Sequence, residues 1–399
     1  MNDSQTTSDI AIVGGGICGL TTAIALEQRG LSPTVYEAAS EYRPIGAGLL
    51  LQTNALLVFD RLGIVDRVRA AGVPLEDVQI RSPDGRVLQR FDLDGLERRD
   101  FGYGYVAIHR GDLQRILLDE LSTDVETGMA CTDVTGTESP AVLFDDGTLV
   151  RPDVLIGADG IDSEVRNVIA PDVELQALDS VVYRAIAEIE SLDRHRRLGF
   201  EVWGDGTYTG GAPIASDRFY WFATVQKGAA DAIDSRELTA VLRDRFAEFP
   251  DPVPSVLESL EPADVFRTDL TDVPSLDRWS RGSVVLAGDA AHGMVPFAGQ
   301  GAAQAIEDAL MLAHSIDRHG TPADAFEAYE AERKTRADRI RAEARRLGTL
   351  GTMRSSIGCR VRNFAVAHLP AALFHRFRLR RMSGTSLPEA ATCDPFSRR

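Results

Sequence analysis

Short apolar runs that end in glycine recur along the chain, each followed by a stretch in which small and apolar residues return at helical spacing. Residues 9–15 (Asp-Ile-Ala-Ile-Val-Gly-Gly) predict a buried parallel strand, because a strand covered on both faces reads as an unbroken apolar run. Residues 20–29 then predict a helix closed by Gly30, and residues 34–37 a second strand. The figure returns at 154–160, where the run ends in Gly157-Ala158-Asp159-Gly160 and enters a helix at 161–166 that Asp162 or Ser163 could cap. It returns again at 284–302, where a strand leads through Gly288-Asp289 and a loop bearing Pro296 to a helix starting near Gly299 or Gln300. Further helices are predicted at 54–62, 111–121, 236–249 and 321–346. A hairpin is predicted at 78–93 around Pro83-Asp84-Gly85, and short strands at 125–149 with a turn at Asp145-Asp146-Gly147. From about 172 to 272 the pattern changes to strand-like runs at 181–189, 200–203, 207–214 and 218–226. Alternating strands and helices, interrupted by antiparallel pieces, predict an α/β fold with an interleaved β-sheet domain and C-terminal helices.

The first unit carries chemistry. Gly14-Gly15-Gly16-Ile17-Cys18-Gly19 matches Gly-x-Gly-x-x-Gly between a strand and a helix, and Glu37 ends the next strand about 20 residues on. Gly14, Gly16 and Gly19 let backbone approach a pyrophosphate, the helix start supplies free N–H donors, and Glu37 would accept from a ribose hydroxyl. In the last unit the strand end delivers the Asp289 carboxylate. The following helix start offers the backbone N–H groups of Gly301 and Ala302 to developing negative charge. Gly46 and Gly48 interrupt a strand-like run at 41–52, consistent with backbone passing close to a ligand. Arg110 stands at the start of a predicted helix, either reaching a cofactor or pairing with Asp112.

Composition narrows the setting. The 399 residues suffice for two or three units sharing a large core, and no run of about 20 apolar residues indicates a membrane span. Residues 1–9 are polar and lack a basic residue, so a secretory signal is not expected and a cytoplasmic location is. Cys18, Cys131, Cys359 and Cys393 form no Cys-x-x-Cys pair, which argues against a zinc or dithiol site and for free thiols in a reducing compartment. Net charge is −17, with 37 Asp, 23 Glu and lysine only at Lys227 and Lys334. Nucleic acid is an unsuitable partner for so acidic a chain. Two origins fit this balance: a halophilic source, or a GC-rich genome that favours arginine. Residues 333–381 run the other way, with 14 basic residues against Asp338 and Glu343, a local charge of +12 that leaves −29 for the rest. That segment either meets an anionic membrane or partner or packs on the protein's own acidic body, the second being the expectation.

The three strand-to-turn sites, in this order and spacing and over the chain to about Arg346, resemble the FAD-dependent aromatic hydroxylase family. These are single-component flavoprotein monooxygenases with the p-hydroxybenzoate hydroxylase fold, and the chain is most similar to the subgroup with salicylate-, urate- and carotenoid-epoxidising members. The resemblance implies a discontinuous Rossmann-like FAD-binding domain at 1–75, 100–171 and 275–345. It also implies a substrate domain at 76–99 and 172–274 and a C-terminal segment at 346–399. Gly14, Gly16, Gly19 and Glu37 would hold ADP, and Gly48 would lie beside the cofactor. Asp159, in the second motif, would serve FAD and the nicotinamide donor. Arg110 and Asp289 would meet the ribityl and phosphate groups. Gly301 and Ala302 would face the flavin pyrimidine edge. NADPH or NADH would reduce FAD, O2 would form a flavin C4a-hydroperoxide, and an aromatic or small hydrophobic compound would be hydroxylated or epoxidised. No metal is required.

Candidate pocket walls are Leu49, Leu51, Tyr183, Trp203, Tyr208, Trp221, Pro296 and Phe297. His292 is a candidate acid or base, though flavin-site architecture is its more natural role. Arg184 could meet an acidic substrate or form a surface pair. A urate-type site would want an arginine on the sheet near Tyr208, and the sequence shows none there. Two other classes remain open: a reductase or epoxidase of isoprenoid lipids, and an FAD-bound sensor without catalysis. A halogenase is disfavoured by the lack of Trp-x-Trp. A salt series separates the two origins of the charge: for a halophilic source, the thermal midpoint climbs as KCl approaches molar levels, and a midpoint indifferent to salt leaves the GC-rich origin.

Overall fold

The computed structural model describes residues 9–42, 47–189, 196–234, 236–383 and 387–388. Residues 1–8, 43–46 and the tail beyond 388, on which the expectations for the N-terminus, part of the Gly46–Gly48 run and Cys393 fall, lie outside the described residues. A six-stranded sheet forms one layer. Its order is Ser280–Arg281, Val284–Leu286, Val154–Gly157, Ile10–Val13, Pro33–Glu37 and Val125–Thr127. All pairings are parallel except that of the outer Ser280–Arg281 strand. The three strands that end in glycine turns are therefore neighbours. Their ends are level as well, since Val13 pairs with Gly157 and Gly157 with Leu286. Register alone brings the three turns to one edge. The strands are apolar throughout because they are covered on both faces: Ile12, Leu155, Ile156, Val284 and Val285 are wholly buried, and Tyr36 packs against Phe144 of the strand Ala141–Phe144.

A seven-stranded sheet stands beside this layer. Its order is Phe266–Asp272, Gln176–Glu188, Arg218–Gln226, Tyr208–Pro213, Leu198–Trp203, Asp77–Arg81 and Val87–Asp92. Strand alternation gives it two faces. One face carries Tyr183, Phe200, Phe219 and Trp221 and packs under the helices Leu238–Phe246 and Val253–Ser259. The opposite face carries Val182, Trp203, Tyr208 and Phe222 and packs against Val295, Phe297 and Ala298 of the loop after Asp289. A three-stranded sheet of Gly48–Leu51, Tyr105–His109 and Val73–Leu75 lies nearby. Among the described residues no helix is long and apolar enough to cross a membrane. Cys18, Cys131 and Cys359 are free thiols.

The helix Pro322–Gly351, capped by the Thr321 hydroxyl accepting from the Asp324 N–H, is longer than the 321–346 expectation. It joins the two layers through arginines. Arg333 donates through Nε to Asp308 at 2.7 Å and pairs with Glu307. Arg336 donates to Glu307 at 2.8 and 2.9 Å. Six residues from the far end, Arg345 pairs with the fully buried Asp272 of the seven-stranded sheet. Arg381 pairs with Glu343 at 2.7 Å. These members of the basic segment do pack on the protein's own acids.

Glu307 and Asp308 belong to the helix Gly301–Arg318 and are wholly buried. Burial alone would push both carboxyls up. The Arg333 and Arg336 charges reverse that for Glu307, and His292 with Arg333 for Asp308, so both are held down near about 2. A carboxyl lowered in the folded state stabilises the fold fully above its unfolded value, and the benefit fades as pH falls through the folded value. Urea unfolding of the intact chain should therefore lose stability steeply from about pH 4.5 towards about pH 2, and Asp308→Asn should flatten that fall. Arg333→Met, which strips Asp308 of its arginine and leaves Glu307 to Arg336, should cost about 3–5 kcal/mol at neutral pH; a loss under 1 kcal/mol would contradict the buried pairing.

Candidate active site

At the first turn Gly14 holds φ +105°, and a Cβ there would sit 2.3 Å from the Ala158 carbonyl oxygen, so only glycine lets the first and second turns touch. Gly19 brings the helix Ile17–Glu27 onto the turn: a Cβ there would meet the Gly14 oxygen at 1.9 Å. Gly16 differs from both. A Cβ there would meet nothing within 4 Å, and no side chain caps the helix it precedes. Its open face and the uncapped N–H groups form a cradle for an anion. Glu37 stands at the rim, its Oε2 accepting from the Gly15 N–H at 2.7 Å and its Oε1 from the Ala39 N–H at 2.9 Å.

The second turn is built from its own side chains. Asp159 accepts from Ser163 Oγ at 2.6 Å and from the Val165 N–H at 3.1 Å, while Ser163 Oγ accepts from the Arg166 N–H at 2.9 Å. Both Asp159 oxygens are thus engaged in shaping the turn, and burial still raises its carboxyl. Arg166 donates to the Ile161 carbonyl at 2.8 Å and to the Ala290 carbonyl at 3.2 Å, tying the second turn to the third.

At the third turn Gly288 (φ 60°, ψ −138°) takes a conformation closed to other residues, and its N–H donates to Asp308 Oδ2 at 2.9 Å. Asp289 is thereby turned outward with an exposed side chain. The protein mass around its cleft raises the carboxyl against the pull of His292 and Arg110. Arg110, exposed at the first position of the helix Arg110–Glu120, faces the same cleft. Gly301 and Ala302 open the 18-residue helix Gly301–Arg318, which no side chain caps. A Cβ on Gly301 would meet only Met294, at 3.9 Å. Gln300 is turned away to donate to Gln52 at 2.6 Å, and Gln52 in turn donates to the carbonyls of Ala298 and Gly299. The loop before the helix is therefore fixed, and its N–H groups are left free.

Several sequence expectations land elsewhere. His292 is 1% exposed, its Nε2 2.5 Å from Asp308 and its ring against Trp279; it braces the turn from beneath and does not face the sheet. Tyr183 and Trp221 lie on the far face of the seven-stranded sheet, and Leu51 is buried in the core shared with the six-stranded sheet. Tyr208, Phe297 and Trp203 do cluster, with Phe297 at 5.3 Å from Tyr208, and Pro296 is exposed at the head of that loop. The close approach at Gly48 is by Tyr220, whose ring would be 2.4 Å from a Cβ there. Arg184 donates to Thr268 at 3.3 Å on the sheet. Tyr220 and Phe222, on the same face as Tyr208, were missed as walls; strand alternation counted from Tyr208 across its partner Thr224 finds them. Arg378 was missed too. It comes from the helix Ala371–Met382, is nearly buried, and lies 4.0 Å from Glu201 beside Phe91, where no pattern in the sheet sequence could reveal it.

The FAD binding domain family matches residues 7–344. The chain belongs to the FAD-dependent aromatic hydroxylase family. It is 33% identical over 362 residues to the aurachin C monooxygenase/isomerase of Stigmatella aurantiaca, covering 90% of this chain and 93% of that one. It is 35% identical over 347 residues to the 3-amino-4-hydroxybenzoate 2-monooxygenase of Streptomyces cremeus, covering 85% and 86%. Among solved structures, Klebsiella pneumoniae HpxO complexed with FAD and uric acid superposes with a TM-score of 0.86 at 28% identity, over 96% of this chain and 97% of that one. The residues fit the cofactor: an open glycine cradle, a rim carboxylate, an outward Asp289 opposite Arg110, and an uncapped helix start all line one edge.

Gly16→Val leaves the fold intact, since nothing lies where the side chain goes, but should abolish flavin retention through gel filtration. Glu37→Gln should weaken FAD about tenfold to a hundredfold by fluorescence titration. A Gly16→Val protein that emerges yellow with normal FAD content would remove the cradle from the site.

Proposed function

We propose that the chain uses FAD, with NADPH or NADH as donor, to insert one atom of O2 into an aromatic or other small hydrophobic compound, by hydroxylation or epoxidation. The other oxygen atom leaves as water, taking the equivalent of the donor's hydride (two electrons and a proton) and one further proton from solvent. The observation that carries this reading is the aromatic wall of Tyr208, Tyr220 and Phe222 facing the Phe297 loop that leads into the uncapped helix start. Tyr208 and Phe222 stand 5.3 Å apart, and Tyr220 and Phe222 6.0 Å apart, both tilted, presenting ring faces and edges to a planar guest. Bound flavin supplies hydride acceptance and oxygen activation.

The chain's own groups do the rest. Gly301 and Ala302 aim backbone N–H groups, with the positive end of a long helix, at negative charge developing on the bound ring. Asp289 and Arg110 orient the cofactor chain. Phe297, wedged between Tyr208 and Gly348, closes the apolar side against water. Arg378 with Glu201 gives the pocket a polar corner, continued by Tyr105, whose hydroxyl donates to Gln52 Oε1 at 3.1 Å. A ring bearing a carbonyl or anionic oxygen suits that corner. The relatives named above, acting on aurachin C and an aminohydroxybenzoate, are consistent with such a guest.

Donor oxidation and peroxide release, followed across a panel of phenols, hydroxyquinolines and isoprenoids, test the reading. At least one aromatic should raise donor oxidation about tenfold or more and yield an oxygenated product. Phe297→Leu should then divert a larger share of turnover to peroxide. A holoenzyme that no compound stimulates would leave the chain an FAD-bound binding protein.

A further inference from the structure

Two helices that end the described chain, Ser356–Ala367 and Ala371–Met382, have two faces with different contents. Their inner faces are committed to the protein. Arg362 is buried and donates to the Trp203 carbonyl at 2.9 Å. Phe374 packs edge-on against Phe91, and Arg378 reaches Glu201. The junction between the helices is held by Gln89, which donates to the carbonyls of Val366 and Leu369 at 2.7 and 2.8 Å. Their outer faces are apolar where solvent-facing helices should be polar. Ile357 is 76% exposed, Val361 63% and Phe364 65%, at i, i+4 and i+7 on the first helix. Leu373 and Phe377, at i and i+4 on the second, are 39% and 46% exposed. Scattered apolar residues need no explanation, but most of the large exposed apolar side chains gathered on two consecutive helices do.

The charges beside them are of one sign. Residues 344–388 contain nine arginines and no acid, in a chain of net charge −17. Some of the nine are spent inside, Arg345 on Asp272 and Arg381 on Glu343. Arg360, Arg376 and Arg380 are exposed, spaced i+3 from Ile357, i+3 from Leu373 and i+3 from Phe377. Each outer face thus interleaves bulky apolar groups with arginine, the composition of a helix lying in a lipid interface. A second copy meeting this face across a two-fold axis would set its arginines against their own duplicates. A bilayer with anionic headgroups satisfies both components at once.

We propose that the outer faces of these two helices dock on an anionic lipid surface. Ile357, Phe364 and Phe377 enter the headgroup–acyl boundary, and Arg360, Arg376 and Arg380 pair with headgroup phosphates. The consequence follows from the two-faced build: the helix that carries Leu373 and Phe377 outward carries Phe374 and Arg378 inward, so docking sets a wall of the pocket against the bilayer. A lipophilic aromatic dissolved in that bilayer would then have a short path to the site. This last step rests on the function proposed above, whereas the docking itself does not.

Co-sedimentation of the FAD-loaded protein with vesicles tests the docking. Phosphatidylcholine vesicles containing about one-third phosphatidylglycerol should pull down the protein at about 0.1 M salt, while pure phosphatidylcholine should retain roughly a hundredfold less. The triple change Arg360→Gln, Arg376→Gln, Arg380→Gln should remove the preference for anionic lipid. Phe364→Ser with Phe377→Ser should reduce binding to both vesicle types and should remove the share that survives molar salt, where Debye screening shortens to about 3 Å. All five altered side chains are exposed, and donor oxidation with a soluble substrate should be unchanged in the variants, so loss of docking and failure of the enzymatic reading are told apart. Equal recovery with and without vesicles would overturn the proposal. So would light scattering that shows a dimer converted to monomer by Phe364→Ser with Phe377→Ser, because the face would then belong to a second copy.

Discussion

The structure depends on a buried ionic knot. Glu307 and Asp308 sit side by side on the helix Gly301–Arg318, and each is answered by an arginine from the long C-terminal helix. Asp308 has further commitments: it accepts the Gly288 N–H, and its Oδ2 lies against His292. One carboxylate thereby fixes the third glycine turn, and its neighbour fixes the helix that begins at Gly301. Burying charges is expensive, and such pairs seldom add net stability over apolar packing. What this one supplies is position. It sets Asp289 outward, leaves the helix start free, and locks the long helix on which Arg345 reaches across to the second sheet.

From that point the site assembles by simple register. Three parallel strands end level, so three glycine turns share one edge. Arg166 stitches the second turn to the third, and the Ala158 carbonyl meets Gly14 so closely that no side chain could intervene. Where a glycine is packed against protein, its role is to let backbone touch backbone. At Gly16, where a Cβ would meet nothing, and at Gly301, where it would meet only Met294 at 3.9 Å, the space beside the helix start stays open. Two helices then give the edge its polarity, each presenting uncapped N–H groups.

Much of this was legible along the chain because the interactions are local in sequence. A strand, a glycine turn and a helix occupy about 20 residues, and Glu37 follows at a fixed interval, so the pattern carries its own geometry. The hairpin at Pro83-Asp84-Gly85 and the four strands between 176 and 226 were readable for the same reason. The parts that escaped are those decided by partners far away. His292 looks like a catalytic group until Asp308, 16 residues on, claims it. Asp159 reads along the chain only as a cofactor residue, and its part in holding the second turn, through Ser163 and the Val165 N–H, is not apparent there. Tyr183 and Trp221 are as aromatic as Tyr208 and Phe222, and only the sheet's choice of inner face separates them. Arg378 reaches the pocket from a helix almost 180 residues beyond Glu201. The basic C-terminal segment divides in the same way: some arginines are buried against acids that composition could anticipate, and others stand beside exposed phenylalanines that it could not.

Amide hydrogen exchange at the third turn tests this account most directly. With Asp308→Asn in the FAD-free protein, the Gly288 amide and the amides of residues 300–304 should exchange far faster than in the unaltered chain, while those of Ile10–Val13 and Val154–Gly157 keep their protection. That outcome would place the knot in control of the third turn. Unchanged exchange at Gly288, or an equal loss of protection across both groups of amides, would show that the turn holds its shape without the knot or that the knot serves stability alone.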